Sequence, residues 1–212
     1  MCKCHLQSLL KLRKTRSMDT GAALRVSRVL LTGPPGIGKT TVCKKLVSMI
    51  EEENYKFNGF YTEEVRGQDG NRIGFDIVLV KNREERTILA RIENVITHSQ
   101  YSKYKVGNYH VFRNNFEVAV LPIFNSNADI LIIDEIGKME LFSQKFQDEI
   151  VKLFFGTSNK SFVIATIPQV HKVPPRYLSL FQKFHKDERC KIITVNRQNR
   201  NNLPEEIFPL IF

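Results

Sequence analysis

The sequence predicts an α/β fold in which a mostly parallel central sheet carries helices on both faces. Three aliphatic runs, at 29–31, 130–133 and 161–166, show little of the polar alternation of half-exposed strands, as is typical of strands buried on both faces. Segments whose apolar residues recur at helical spacing lie between them, at about 40–53 and 141–155. Strands that alternate with helices are typical of a parallel sheet, so we expect a three-layer sandwich.

The smaller predicted elements include one antiparallel feature. Two strand-like segments, Phe60–Arg66 and 72–80, flank a Gly-rich turn and predict a β-hairpin added to the sheet. The other predicted elements, in chain order, are a polar loop at 81–105, a strand at 106–111, a helix from 114 to about 123, a helix around 177–186, a strand at 190–195 and a closing helix at 204–208.

The loop after the first strand carries the clearest chemical signal. Residues 33–40, G-P-P-G-I-G-K-T, fit the pattern G-x-x-x-x-G-K-[ST] of a phosphate-binding P-loop. Its glycines let successive N–H groups point at phosphate oxygens, and the following helix adds its positive end. Lys39 supplies a charge for the β- and γ-phosphates, and the Thr40 hydroxyl is a ligand for Mg²⁺. The predicted phosphate-binding residues are Gly33, Pro34, Pro35, Gly36, Ile37, Gly38, Lys39, Thr40 and Thr41.

Two acids follow the aliphatic run at 130–133, where ligands bind at the carboxyl ends of parallel strands. Asp134 is placed to hold Mg²⁺ through water, as the second acidic motif of P-loop proteins does. Glu135 is placed to accept a proton from an attacking water. We therefore predict Lys39 and Glu135 as catalytic residues, and Thr40 and Asp134 as metal ligands.

Five further residues are weaker candidates. Arg66 and Arg72 flank the hairpin turn and could stabilise transition-state charge, or be exposed turn arginines. Thr166 ends a core strand and could orient the water, or be an ordinary strand-end hydroxyl. Asn199 and Arg200 follow the last strand, where fold analogy alone suggests contacts to the base.

The basic composition does not by itself indicate a nucleic-acid partner. The net charge is +10, but residues 1–28 hold seven lysines and arginines against one acid, so +6 lies there and +4 in the rest. We divide the chain into a basic extension, 1–25, and a single domain, 26–212. The extension has features of a mitochondrial targeting segment, but Met18 could begin a complete domain, so we expect a cytoplasmic protein with a mitochondrial alternative. No apolar run is long enough to span a membrane, and we expect a monomer.

Several segments beyond the P-loop resemble one family, the small P-loop nucleoside-triphosphatases that include the cancer-related nucleoside-triphosphatases and their thermophilic bacterial and archaeal relatives. The most specific stretches are G-F-Y-T-E-E-V-R at 59–66 and I-D-E-I-G-K-M-E-L-F-S at 133–143; R-I-G-F-D at 72–76, V-G-N-Y at 106–109 and A-T-I-P at 165–168 also match. The basic extension and residues 81–105 depart from the pattern. The resemblance implies Mg²⁺-dependent hydrolysis of nucleoside triphosphates (ATP, GTP, CTP and UTP) with broad base tolerance. It also implies that the nucleotide is lined by Ile130, Leu131, Ile132, Ile133, Asp134, Glu135, Ile136 and Gly137.

Three other functions share parts of this pattern. A GTPase is disfavoured because D-x-x-G occurs at 134–137 but N-K-x-D occurs nowhere, which leaves no acid to select guanine. A nucleotide or small-molecule kinase would need an acceptor pocket and an arginine-bearing lid. A nucleotide-gated module that binds RNA or protein would show nucleic-acid affinity without residues 1–25.

Overall fold

The computed structural model describes residues 25–157 and 159–212. The predicted extension, apart from Arg25, therefore lies outside the described residues. The strands are β1 (Arg28–Thr32), β2 (Phe57–Arg66), β3 (Arg72–Leu79), β4 (Asn82–Ile92), β5 (Lys105–Val106), β6 (Tyr109–Val111), β7 (Ile130–Asp134), β8 (Phe162–Thr166) and β9 (Cys190–Thr194). The α-helices are α1 (Lys39–Glu52), α2 (Arg113–Val120), α3 (Gln144–Phe155), α4 (Leu178–Lys186) and α5 (Leu203–Ile207).

All the described strands form one mixed sheet in the order β5-β6-β4-β3-β2-β7-β8-β1-β9. The half from β2 to β9 is parallel, and the half from β2 to β5 is antiparallel. The predicted hairpin is confirmed as β2 and β3, but the antiparallel region continues through β4, β6 and β5. This antiparallel extension is larger than the sequence suggests.

The three-layer arrangement is confirmed by the way the helices cover the two faces. Strand β7 alternates between them: Leu131 and Ile133 pack with α2, α3 and α4, while Ile130 and Ile132 pack with α1 and α5. All four side chains are at most 3% exposed. Helices cover both faces of the parallel half. We therefore expect a ligand to bind at the carboxyl edge of this half, where β1 and β7 end.

The prediction of a loop at 81–105 is wrong, because β4 occupies Asn82–Ile92. The strand pairs with β3 along its length, but most side chains of its first half are exposed, and only Leu89 and Ala90 are buried. Charged residues on solvent-facing positions hide the two-residue period, while backbone pairing with β3 still fixes the strand.

Two other predicted boundaries need correction. The single strand at 106–111 is a hairpin of β5 and β6, because Gly107 adopts a left-handed φ of +55° and reverses the chain. Helix α3 begins at Gln144 rather than 141, since the Ser143 hydroxyl accepts a hydrogen bond from the Phe146 amide at 3.1 Å and caps it. Residues 140–142 form a separate 3₁₀ turn.

Across residues 25–157 and 159–212, none of the helices has both the length and the apolar composition needed to cross a bilayer.

Candidate active site

The P-loop connects β1 to α1 at the carboxyl edge of the sheet. Gly33, Gly36 and Gly38 have φ values of +149°, +72° and +110°, a region that side chains disfavour. A Cβ on Gly33 would also lie 2.8 Å from the Val195 carbonyl oxygen, so the glycine is needed for close packing as well. The Lys39 ammonium donates to the Gly33 and Pro34 carbonyls at 3.2 and 3.4 Å, which holds it over its own loop.

Asp134, at the end of β7, faces the P-loop helix. It is 2% exposed, and its Oδ1 accepts a hydrogen bond from the Thr166 hydroxyl at 2.5 Å. Burial raises the pKa of Asp134, although the Thr166 and Thr40 hydroxyls and the positive charge of Lys39 act in the opposite direction. Thr166 is fully buried, and its proton is directed at the carboxylate.

The residues after Asp134 bring a second and a third carboxyl group together. A Cβ built on Gly137 would lie 3.0 Å from Glu135 Oε1 and 2.9 Å from Glu140 Oε2, so the glycine lies between them. Burial raises the pKa of Glu135, against the charge of Lys39. Burial, together with the charge of Glu135, raises the pKa of Glu140 to about 8. Glu140, 3% exposed, accepts a hydrogen bond from the Gly137 amide at 3.1 Å.

The donor set at this edge suits Mg²⁺. Asp134 Oδ2 is buried and has no hydrogen-bond partner among the described residues, which leaves one carboxylate oxygen without a proton donor. The Thr40 hydroxyl lines the same cavity. In the described part of the chain no three acidic, His or Cys side chains cluster as a complete metal site. Mg²⁺ commonly takes one or two protein oxygens and completes its shell with phosphate and water, which fits this sparse set.

A cavity of about 810 Å³ extends from the P-loop to the antiparallel extension. Its P-loop side is lined by Pro35, Gly36, Gly38, Lys39, Thr40 and Thr41, and its floor by Asp134, Glu135, Gly137 and Glu140. The opposite side is formed by Glu64, Arg72, Phe75 and Tyr109, which we call the aromatic wall. Six of the nine predicted P-loop residues are thus brought together with the predicted acids around one cavity, while Gly33, Pro34 and Ile37 lie outside its lining.

Other predicted residues lie elsewhere. Five residues of the segment 130–137 are buried in the core and do not line the cavity, namely Ile130, Leu131, Ile132, Ile133 and Ile136. The structure therefore narrows the predicted nucleotide lining of this segment to Asp134, Glu135 and Gly137. The Arg66 side chain is 59% exposed, pairs with Glu64 at 2.7 Å and lies outside the cavity lining.

The two candidates after β9 lie near the P-loop but not in the cavity lining. The Asn199 side chain bonds the Asn196 amide and the Thr194 carbonyl, both at 2.9 Å, and so braces its own loop. The Arg200 guanidinium donates to the Ile37 carbonyl at 3.3 Å and lies against Gly38.

Sequence reasoning missed Glu140 and most of the aromatic wall. Glu140 lies five residues after Glu135, a spacing with no helical or strand period, and only the 3₁₀ turn at 140–142 returns it to the same cavity. Tyr109 comes from a strand pair that the sequence predicts as one strand. The one available signal was that all these residues lie within the stretches that resemble the nucleoside-triphosphatases.

Comparisons with known proteins agree with this geometry. A family model described as NTPase matches residues 28–208. The human cancer-related nucleoside-triphosphatase is 38% identical over 187 residues, 84% of this chain and 93% of that protein. The nucleoside-triphosphatase THEP1 of Thermotoga sp. strain RQ2 is 38% identical over 192 residues, 87% of this chain and 95% of its own. The crystal structure of THEP1 from Aquifex aeolicus aligns with a TM-score of 0.67 at 31% identity, covering 87% of this chain and 98% of the other. With a P-loop and a strand-end acid pair around one cavity, and these relatives over most of its length, the chain belongs to the NTPase family.

Proposed function

We propose that this protein hydrolyses nucleoside 5′-triphosphates to the diphosphate and phosphate, with Mg²⁺ and with little selection among ATP, GTP, CTP and UTP. The observation that carries the proposal is the convergence of Lys39, Asp134 and Glu135 on one cavity at the carboxyl edge of the sheet. The relatives that this chain matches over most of their length are named nucleoside-triphosphatases, which supports the same activity.

The residues of the site provide the phosphate binding, metal binding and positioning that phosphoryl transfer requires. The P-loop amides and Lys39 bind the β- and γ-phosphates. Thr40 and Asp134 Oδ2 would hold Mg²⁺, which when bound neutralises phosphate charge. Thr166 keeps the Asp134 carboxylate in one orientation through its 2.5 Å hydrogen bond, so we assign it a positioning role.

Glu135 accepts the proton of the attacking water. Its raised pKa makes it a stronger base than an exposed glutamate, while the charge of Lys39 keeps the proton affinity from rising further. Of the two candidate arginines, Arg72 lines the cavity and Arg66 does not, so Arg72 is the better placed to stabilise transition-state charge. In this structure its guanidinium pairs with Glu64 at 2.8 Å.

The loop after β9 supports the proposed broad base tolerance. Both side-chain hydrogen-bonding groups of Asn199 are engaged with its own loop, and the guanidinium of Arg200 contacts the P-loop backbone. The sequence also contains no N-K-x-D motif, whose acid selects guanine, and a site without such a base-specific hydrogen bond discriminates weakly between bases. We further propose a monomer without a nucleic-acid partner; nucleic-acid affinity that persists after removal of residues 1–25 would contradict this.

The deciding experiment compares wild type with Glu135→Gln. We expect wild type to release phosphate from all four nucleoside triphosphates, and only when Mg²⁺ is present. The glutamine keeps the shape of the side chain but cannot accept the proton, so kcat should fall by about 10²–10⁴-fold while triphosphate binding persists. Tight binding with negligible release by both proteins would refute the proposal.

A further inference from the structure

The cavity extends beyond the P-loop and the acids to the aromatic wall. In phosphoryl transfer the attacking and leaving oxygens are roughly in line. The P-loop holds the leaving side, so the nucleophile approaches from the side of the aromatic wall. The whole cavity, which must also hold the triphosphate, measures about 810 Å³, in the upper part of the size range of ligand pockets. The aromatic wall, which comes from β2, β3 and β6, is the part of the lining left for a nucleophile larger than water.

The aromatic wall has the composition of a site for a planar heterocycle. The rings of Phe75 and Tyr109 meet edge to face with centroids 5.2 Å apart. The Arg72 guanidinium lies 5.0 Å from the Phe75 centroid and 5.7 Å from that of Tyr109. Arginine planes and aromatic rings are the surfaces on which nucleobases stack.

Hydrogen bonds fix this wall and provide polar groups at its edge. Arg72 Nε donates to the Tyr109 hydroxyl at 3.0 Å, and Arg72 Nη1 donates to Glu64 at 2.8 Å. Although burial raises the pKa of Glu64, its bonds to Arg72 and Arg66 lower it below the ordinary value, so the carboxylate stays charged. A carboxylate acceptor beside a guanidinium donor matches the mixed donor and acceptor edge of a nucleobase.

Two cations complete the rim of the cavity. Lys138 and Lys172 line it, and their side chains make no ion pair or hydrogen bond with another residue in the ranges 25–157 and 159–212. By contrast, Lys44 is neutralised by an ion pair with Glu63. Unpaired ammonium groups in the lining favour an anionic ligand, and a phosphate is the anion that would accompany a nucleobase.

We propose that this part of the cavity binds a nucleoside 5′-monophosphate as an acceptor, so that the protein also transfers the γ-phosphate to it. The bond between the γ-phosphorus and the β–γ bridging oxygen breaks, and its electron pair stays on the departing diphosphate. A bond forms between the γ-phosphorus and a phosphate oxygen of the acceptor, which yields two nucleoside diphosphates. The acceptor, whose second phosphate pKa is about 6, is already deprotonated at pH 8, so this step needs no general base.

The test uses full-length protein with γ-³²P-labelled ATP and Mg²⁺ at pH 8, with AMP, CMP, GMP or UMP added, and separates labelled diphosphate from labelled phosphate. We expect labelled diphosphate with at least one monophosphate. The ratio of diphosphate to phosphate, measured in one tube, should fall at least tenfold in Tyr109→Ala. The ratio should keep its wild-type value in Tyr55→Ala, because Tyr55 is exposed and lies outside the cavity lining. If Tyr109→Ala does not fold, Phe75→Leu, which keeps apolar volume, replaces it.

A second comparison uses the general base, which an attacking water needs and a deprotonated phosphate acceptor does not. Glu135→Gln should lower phosphate release much more than diphosphate formation, because only water must lose a proton. Labelled diphosphate from none of the four monophosphates overturns the proposal, even if a monophosphate binds. A ratio unchanged in the aromatic variant overturns it as well. Phosphate release without diphosphate leaves the proposed hydrolysis intact, whereas diphosphate without phosphate release refutes hydrolysis instead.

Discussion

Replacing Glu140 with glutamine should make the folded protein more resistant to alkaline pH. Glu140 is buried at the cavity floor beside the Glu135 carboxylate, and its pKa is raised to about 8 from an ordinary value of 4.5. Between these values the native state holds a proton that the unfolded chain has released. The unfolded state then binds fewer protons, so the free energy of unfolding falls as the pH rises through this window.

The structure sets the size of the effect. The two pKa values of Glu140 differ by about 3.5, and each pKa unit is worth about 1.4 kcal/mol, so the full loss is about 5 kcal/mol above pH 8. Glutamine has no proton to release, and its carbonyl can still accept from the Gly137 amide, which the native carboxyl binds at 3.1 Å. The variant should therefore gain stability over wild type as the pH rises from 5 to 9, by several kcal/mol in total.

Urea unfolding curves at pH 5, 6, 7, 8 and 9, with EDTA and without nucleotide, measure this difference directly. Other titrating groups, including Asp134 and Glu135, are present in both proteins, so the difference between the two curves reports the titration of Glu140 together with its coupling to the neighbouring acids. Stability profiles that run parallel from pH 5 to 9 would refute the claim that Glu140 is a buried acid with a strongly raised pKa.

Three further predictions follow from named contacts. Arg72→Ala should lower kcat for hydrolysis by at least tenfold and Arg66→Ala by less than twofold, because only the first side chain lines the cavity; equal effects would contradict the assignment. Thr166→Val removes the hydroxyl that donates to the Asp134 carboxylate at 2.5 Å. Steady-state assays should therefore show an increased Mg²⁺ concentration for half-maximal rate, and an unchanged concentration would contradict the positioning role of Thr166. Gly59→Ala would place a Cβ 2.0 Å from a carbonyl oxygen of β7, so thermal unfolding should show a loss of several kcal/mol. The control is Gly70→Ala, whose φ is also positive, at +76° against +147° for Gly59, but whose added Cβ would have no atom within 4 Å. A similar loss there would contradict the steric argument.

Local chemistry was enough to predict the nucleotide-binding half of the site. The P-loop is contiguous, and its glycines, Lys39 and Thr40 act within one turn of backbone. Asp134 and Glu135 follow a strand whose four aliphatic residues are buried on both faces. Parallel strands end at the same edge of a sheet, so the position of these acids opposite the P-loop followed from the strand pattern alone.

The aromatic wall of the cavity depends on tertiary pairing. The charged first half of β4 has no hydrophobic period, and backbone pairing with β3 makes it a strand. The last three residues of β4 then pair with β6, which continues the antiparallel extension. That extension brings Tyr109 to Arg72, a contact between residues 37 positions apart.

The sequence by itself therefore determined the fold class, the P-loop and the acid pair, because each is encoded by neighbouring residues with a regular period or a fixed spacing. Only the tertiary structure decided that Arg72 faces the cavity while Arg66 faces solvent, and that Glu140 shares the floor with Glu135. The physical reason is that these positions depend on strand pairing and on a 3₁₀ turn, and both are set by contacts between segments distant in the chain or by irregular backbone.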